Sequence, residues 1–313
     1  MNLERRLHGL VVAAHTPFHE DNSLNLAVVE KQVAHYLEQQ LNAVFIGGTT
    51  GEFSSLTLDE RRALAERWVG VTRGTALSVI VHVGSNCLAD ARMLAAQAEG
   101  LGATAISAAA PSYFKPRDVA ALIDCMALIA ESAPSLPFYY YEIPSLTGLA
   151  LSPFEFLRVA AERIPNLAGL KFTSNNLMEY QLCRTFQDAA FDVPFGFDEM
   201  LLAALSLGAR GAVGSTYNFA APIYRRLLEA FQRGDMAVAQ DEQARSVQMI
   251  QLLASQGFMG AAKAVMTMLG VPVGPARLPN SNLTPEQASH LRRMLEKIGF
   301  FDWIKIGAAS SSG

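Results

Sequence analysis

Residues 167–176 read LAGLKFTSNN, an apolar run broken by one lysine and closed by small polar residues. In a strand, side chains alternate between faces, so Lys171 falls on one face with Gly169, and Leu170 and Phe172 on the other. If Leu170 and Phe172 pack outward against helices, Lys171 points into the mouth of a barrel. The neighbours of this strand therefore decide the fold.

Similar short apolar runs recur along the chain. Strands are expected near 9–14 (GLVVAA), 43–47 (AVFIG), 78–83 (SVIVHV), 104–108 (TAISA), 137–141 (PFYYY), 168–172 (AGLKF), 193–196 (VPFG) and 211–214 (GAVG). Between them lie apolar residues at helical spacing, such as Val29, Val33, Tyr36 and Leu37, then Leu64, Trp68 and Val71. TLDE at 57–60, SPFE at 152–155 and TPEQ at 284–287 read as capping boxes. Gly74, Gly100 and Gly234 are expected to close helices.

Eight strands alternating with eight helices give an α/β fold, a (β/α)8 TIM barrel. A doubly wound sheet also alternates but usually has fewer strands. Beyond about residue 235 the strand signals stop. DMAVAQDEQARSVQMIQLLASQ, GAAKAVMTML and 284–298 read as three helices. The expected organisation is a catalytic barrel over 1–232, a C-terminal helical domain over 233–305, and a disordered tail over 306–313.

Half of the 313 residues are hydrophobic and 17% are charged, which supports a sizeable core and argues against disorder. A net charge of −4 argues against nucleic-acid binding. No uncharged stretch approaches the ~18 residues of a membrane span. LVVAA, after Arg5 and Arg6, is too short for a secretory signal. Cys87, Cys125 and Cys183 show neither CxxC pairing nor metal-ligand spacing to a histidine, and are expected as small buried side chains in a reducing, cytoplasmic setting.

Active groups of such barrels occupy the C-terminal ends of strands and the loops that follow. In IGGTTGEFSSL (46–56), glycines and threonines make a nest of N–H groups and hydroxyls that can hold a carboxylate or phosphate. The alternative is a tight turn leading into a capped helix. Of the six lysines (Lys31, Lys115, Lys171, Lys263, Lys297, Lys305), Lys171 alone interrupts an apolar strand, and the other five are expected to be solvated. Burying an unpaired ammonium costs several kcal/mol. Lys171 is therefore either paired to a carboxylate or kept for chemistry, such as Schiff-base formation with a ketone.

FYYYEIPSLTG (138–148) places Tyr139 and Tyr141 on one face and Phe138 and Tyr140 on the other, with Tyr141 nearest the rim, where a phenol can shuttle protons. GFDE (196–199) offers the oxygens of Asp198 and Glu199 to a polyol, and Asp198 also fits the N-cap of the following helix. Ser215, in GSTYN (214–218), adds a small polar wall.

Taken in order, GGTTGE, YEIPSLTG, GLKFTS, GFDE and GSTYN resemble the pyruvate-dependent class I aldolases of the dihydrodipicolinate synthase and N-acetylneuraminate lyase superfamily. The resemblance runs from HTPF to GPARLP, and five ordered motifs are far more specific than one. The lyase branch is the better match, because Leu146 stands where the synthase branch typically carries an arginine for a second carboxylate.

The resemblance implies a barrel with a three-helix C-terminal extension, commonly a homotetramer, acting on pyruvate and an amino sugar with no metal or cofactor. It assigns Lys171 to the Schiff base and Tyr141 to proton transfer. Thr49 and Thr50 would hold the pyruvate carboxylate, and Thr173, Gly196, Asp198, Glu199 and Ser215 would line the sugar side. Tyr113, in APSYFKP, would reach a neighbouring subunit's site, although Ser112 replaces a frequent aromatic beside it. Glu142 stands where many relatives have asparagine; alternation turns it away from Lys171, toward the loop backbone, and it is given no role. A synthase, or another pyruvate-dependent 2-keto-3-deoxy acid aldolase, would share Lys171 and Tyr141. A non-catalytic sensor of keto acids or sugars is the remaining alternative.

Overall fold

In the computed structural model, which describes residues 7–305, parallel strands and helices alternate from the start. The first half comprises β1 (Gly9–Ala13), α1 (Val29–Glu38), β2 (Ala43–Ile46), α2 (Leu58–Thr72), β3 (Ser78–His82), α3 (Leu88–Leu101), β4 (Ala105–Ala109) and α4 (Val119–Ala130). The second comprises β5 (Phe138–Glu142), α5 (Pro144–Thr147), α6 (Pro153–Arg163), β6 (Leu167–Phe172), α7 (Leu177–Thr185), α8 (Leu201–Ser206), β7 (Gly211–Gly214) and α9 (Tyr217–Gln232). Helices α10 (Met236–Ser255), α11 (Phe258–Met268), α12 (Pro285–Ile298) and α13 (Phe300–Trp303) follow. The expected tail, 306–313, lies outside the described residues, as do Arg5 and Arg6.

Among the described residues the sheet has seven strands, in the order β6-β5-β4-β3-β2-β1-β7, not the eight expected. Residues 193–196 do not form a regular strand, because Pro194 has no N–H to give a ladder. The segment nevertheless bridges the gap. Phe172 N donates to Pro194 O (2.9 Å) and Gly196 N to Phe172 O (2.7 Å) on the β6 side; Phe195 N donates to Gly211 O (3.0 Å) and Val213 N to Phe195 O (2.8 Å) on the β7 side. The approach is close enough that a Cβ at Gly169 would sit 1.7 Å from Asp192 O. An irregular eighth stave thus completes a TIM-barrel-like fold.

Alternation along the staves separates two apolar layers. Phe138, Tyr140, Leu170 and Phe172 join the large outer core between strands and helices. Val11, Phe45, Ile80, Tyr139, Tyr141 and Val213 form a smaller cluster inside the barrel.

Two of the expected capping boxes are complete. At α2, Glu60 N donates to Thr57 Oγ1 and Thr57 N to Glu60 Oε2; α12 repeats the pattern with Thr284 and Gln287. At α6 only half forms. Ser152 accepts from Glu155 N, but Glu155 turns to Arg158 and the Ser152 hydroxyl donates to Glu179. Gly74 and Gly234 follow helix ends in left-handed conformation, whereas Gly100 lies inside α3, which closes instead at Gly102 (φ 82°). Cys183 is buried as expected, but Cys87 is exposed at the start of α3.

Candidate active site

Strand register sets the centre of the mouth. Tyr141 and Lys171 are direct partners across β5 and β6, so both side chains enter the lumen together. The Lys171 ammonium lies 3.8 Å from the centre of the Tyr141 ring and 4.9 Å from that of Phe45. Among the described residues no carboxylate pairs with it, although the residue is only 5% exposed.

The loop after β2 arrives from the opposite wall. Thr49 Oγ1 is 3.2 Å from the Tyr141 hydroxyl, and Thr50 Oγ1 is 2.7 Å from Ser215 Oγ, beyond β7. Thr173 follows β6, buried, with an unpartnered hydroxyl. Gly196 lies against it: a Cβ there would come within 2.0 Å of Thr173 Oγ1. Lys171, Tyr141, Thr49, Thr50, Thr173, Gly196 and Ser215 therefore share one rim.

Asp198 joins this rim, but not as a helix cap. It is the first residue of a 3-10 turn whose cap position is Phe197, and the cap position of α8 is Met200; neither makes a side-chain capping bond. Its Oδ2 accepts from Thr216 N (2.9 Å) and the Thr216 hydroxyl (2.6 Å), locking the segment after the eighth stave to the loop after β7. Burial lifts its pKa to about 6, against the pull of the two Thr216 bonds. Glu199 beside it is half-buried. Tyr113 lies apart, on the loop after β4, 79% exposed and paired edge-to-face with the equally bare Phe114.

The three tyrosines of the opening strand separate as alternation requires. Tyr141 faces Lys171, while Tyr139, also in the lumen, donates to Asp192 Oδ2 (3.1 Å). Tyr140 faces outward against Phe156. Glu142 is buried on that outer side, and its Oε2 accepts from Thr173 N (3.1 Å), the loop backbone directly after the lysine strand. Burial raises its pKa to about 7, partly offset by that bond.

Several buried polar groups carried no clear sequence signal. His82 meets Tyr141 edge-to-face at 5.7 Å, and burial holds its imidazole neutral, with Arg61 and Lys171 acting in the same sense. Its one sequence signal is an inward position in SVIVHV. Lys263 contradicts the expectation of solvation: it is 2% exposed and pairs with Glu52 at 2.7 Å. Burial lowers its pKa to about 8, with Glu52 opposing the fall.

Known proteins show the same architecture. The chain is 42% identical over 278 residues to an N-acetylneuraminate lyase of Xenopus tropicalis, covering 88% of this chain and 91% of the relative. A solved Proteus mirabilis N-acetylneuraminate lyase superposes with a TM-score of 0.91 at 39% identity, covering 94% of this chain and 99% of that one. A dihydrodipicolinate synthase from Cyanidioschyzon merolae superposes at 0.86 with 30% identity, covering 94% and 98%. Together with the lysine-bearing mouth, these likenesses make the molecule a TIM-barrel enzyme of the carbon–carbon lyase class. Residues 6–298 match the Dihydrodipicolinate synthetase family, and the chain belongs to that family.

Proposed function

We propose that the chain is a reversible class I aldolase that cleaves N-acetylneuraminate to pyruvate and N-acetylmannosamine. The observation that carries this reading is the unpaired Lys171 amine against Tyr141, whose hydroxyl reaches Thr49.

The Lys171 amine attacks the C2 ketone of the open-chain sugar, and Tyr141 gives its phenol proton to the departing hydroxyl, so that loss of water leaves an iminium and a phenolate. The C4 hydroxyl gives up its proton to Tyr141, relayed through the substrate carboxylate, as the C3–C4 bond breaks. The bonding pair flows into the iminium, leaving an enamine, and C4 departs as the aldehyde of N-acetylmannosamine. Protonation of the enamine at C3 and hydrolysis by water release pyruvate and restore the amine. The iminium is the electron sink, so the step asks nothing of a metal.

Thr49, Thr50 and the N–H groups of their loop hold the carboxylate in this account. Thr173, Gly196, Asp198, Glu199 and Ser215 line the side where the polyol lies. The exposed Tyr113–Phe114 pair is offered to a neighbouring subunit of a homotetramer. Three free cysteines suit a reducing cytoplasm. Among the described residues no helix is long and apolar enough to cross a membrane.

Leu146, 62% exposed on α5, supplies no cation for a second substrate carboxylate, which weighs against a synthase. The test is a direct comparison of sialic acid cleavage with condensation of pyruvate and aspartate semialdehyde. Cleavage alone supports the lyase; condensation alone refutes it.

A further inference from the structure

The carboxylate-holding loop ends on Glu52, a residue whose conformation demands an explanation. Its backbone is left-handed (φ 54°, ψ 37°), which costs a side-chain-bearing residue stability unless the surroundings enforce it. Its side chain is buried and turned away from the mouth. Oε1 pairs with Lys263 of α11 at 2.7 Å, and Oε2 accepts from Arg277 N at 2.8 Å.

The surroundings of the pair hold the rest of the loop. Lys263 Nζ also donates to Thr16 O (3.0 Å) and Pro275 O (2.8 Å). The Thr16 hydroxyl in turn donates to Gly51 O at 2.7 Å. Glu52 N donates to Thr49 O, closing the turn that carries Thr49 and Thr50. One cation therefore fastens the loop after β2 to the segment after β1 and to the chain that follows α11. Nothing in the chemistry assigned to Lys171 uses this cation.

We propose that the Glu52–Lys263 ion pair is a positioning device, by which the C-terminal helices set the donors of residues 49–51 toward a keto-acid carboxylate. The proposal deepens the aldolase reading and rests on it for the identity of the ligand. Glu52 and Lys263 do not touch the substrate; they act through Thr49, Thr50 and Gly51. The expected signature is weakened pyruvate capture with the covalent chemistry at Lys171 intact.

The test uses the full-length protein and the double variant Glu52→Gln/Lys263→Met, which removes both charges together and keeps an acceptor for Arg277 N. Pyruvate and borohydride trap the Schiff base, and amide hydrogen exchange reads residues 49–52. We expect a cooperatively folded protein with a lower thermal midpoint, exchange accelerated at 49–52 more than elsewhere, and a pyruvate half-saturation raised about tenfold, with the limiting adduct still on Lys171. Wild-type half-saturation and exchange in the folded double variant would overturn the proposal. Should the double variant not fold, Glu52→Asp, which keeps both charges but shortens the reach to Lys263 and Arg277 N, decides between the same two outcomes. If the wild-type protein forms no adduct at Lys171, the aldolase reading falls separately. The brace then stands or falls on exchange alone, and unchanged exchange overturns it.

Discussion

Lys171 and Lys263 are both almost wholly buried, yet their surroundings are opposites. Lys263 has a carboxylate and two carbonyl oxygens for its ammonium. Lys171 has the faces of Tyr141 and Phe45 and, among the described residues, no counter-charge. A buried ammonium with a full set of acceptors is committed to structure. One without them keeps its nitrogen accessible to an electrophile. The same residue type thus serves as an anchor on one side of the mouth and as the proposed nucleophile on the other.

Replacing each lysine by methionine should break the symmetry between them. Lys171→Met is expected to abolish cleavage, by several orders of magnitude in kcat, without lowering the thermal midpoint. Lys263→Met should instead lose stability, about 3–5 kcal/mol in denaturant unfolding, because it strands Glu52 as an unpaired buried charge. A stable Lys263→Met protein, or an unstable Lys171→Met protein, would undo the contrast.

The tyrosines sharpen it. Tyr141→Phe should cut kcat by about 10²–10⁴-fold with the fold intact. Tyr139→Phe forfeits a bond to Asp192, about 1 kcal/mol, and Tyr140→Phe chiefly alters packing. Equal activity losses in all three would mean that facing Lys171 is not what matters.

The remaining expected effect, at Glu142, depends on pH. Its pKa is about 7 in the folded protein against 4.5 in the reference state. The folded state therefore binds more protons between those values, and the contribution to stability falls as pH rises through the window. Glu142→Gln keeps an acceptor for Thr173 N, so it should gain about 1–3 kcal/mol above pH 8. That gain should vanish below pH 4 in paired denaturation curves. A gain independent of pH would contradict the burial argument.

Much of this was legible from local pattern. Period-two alternation separated Tyr141 from Tyr140, turned Lys171 inward and directed Glu142 toward loop backbone. It fails where a partner comes from a distant segment. A lysine in GAAKAVMTML reads as the solvated face of a helix, and only the packing of α11 against the GGTTGE loop buries it. Asp198 precedes a helix and so resembles a cap, but Thr216 claims its carboxylate first. Pro194 hides a stave whose hydrogen bonds come from the neighbours on both sides.

Of the two buried lysines, Lys171 is the one expected to carry the chemistry. The most direct measurement is reduction with borohydride in the presence of pyruvate, followed by peptide mass mapping of both lysines. The expected result is inactivation and one pyruvate-derived adduct on the peptide containing Lys171, with the Lys263 peptide unmodified. An unlabelled Lys171, or an adduct on Lys263 in its place, would contradict it.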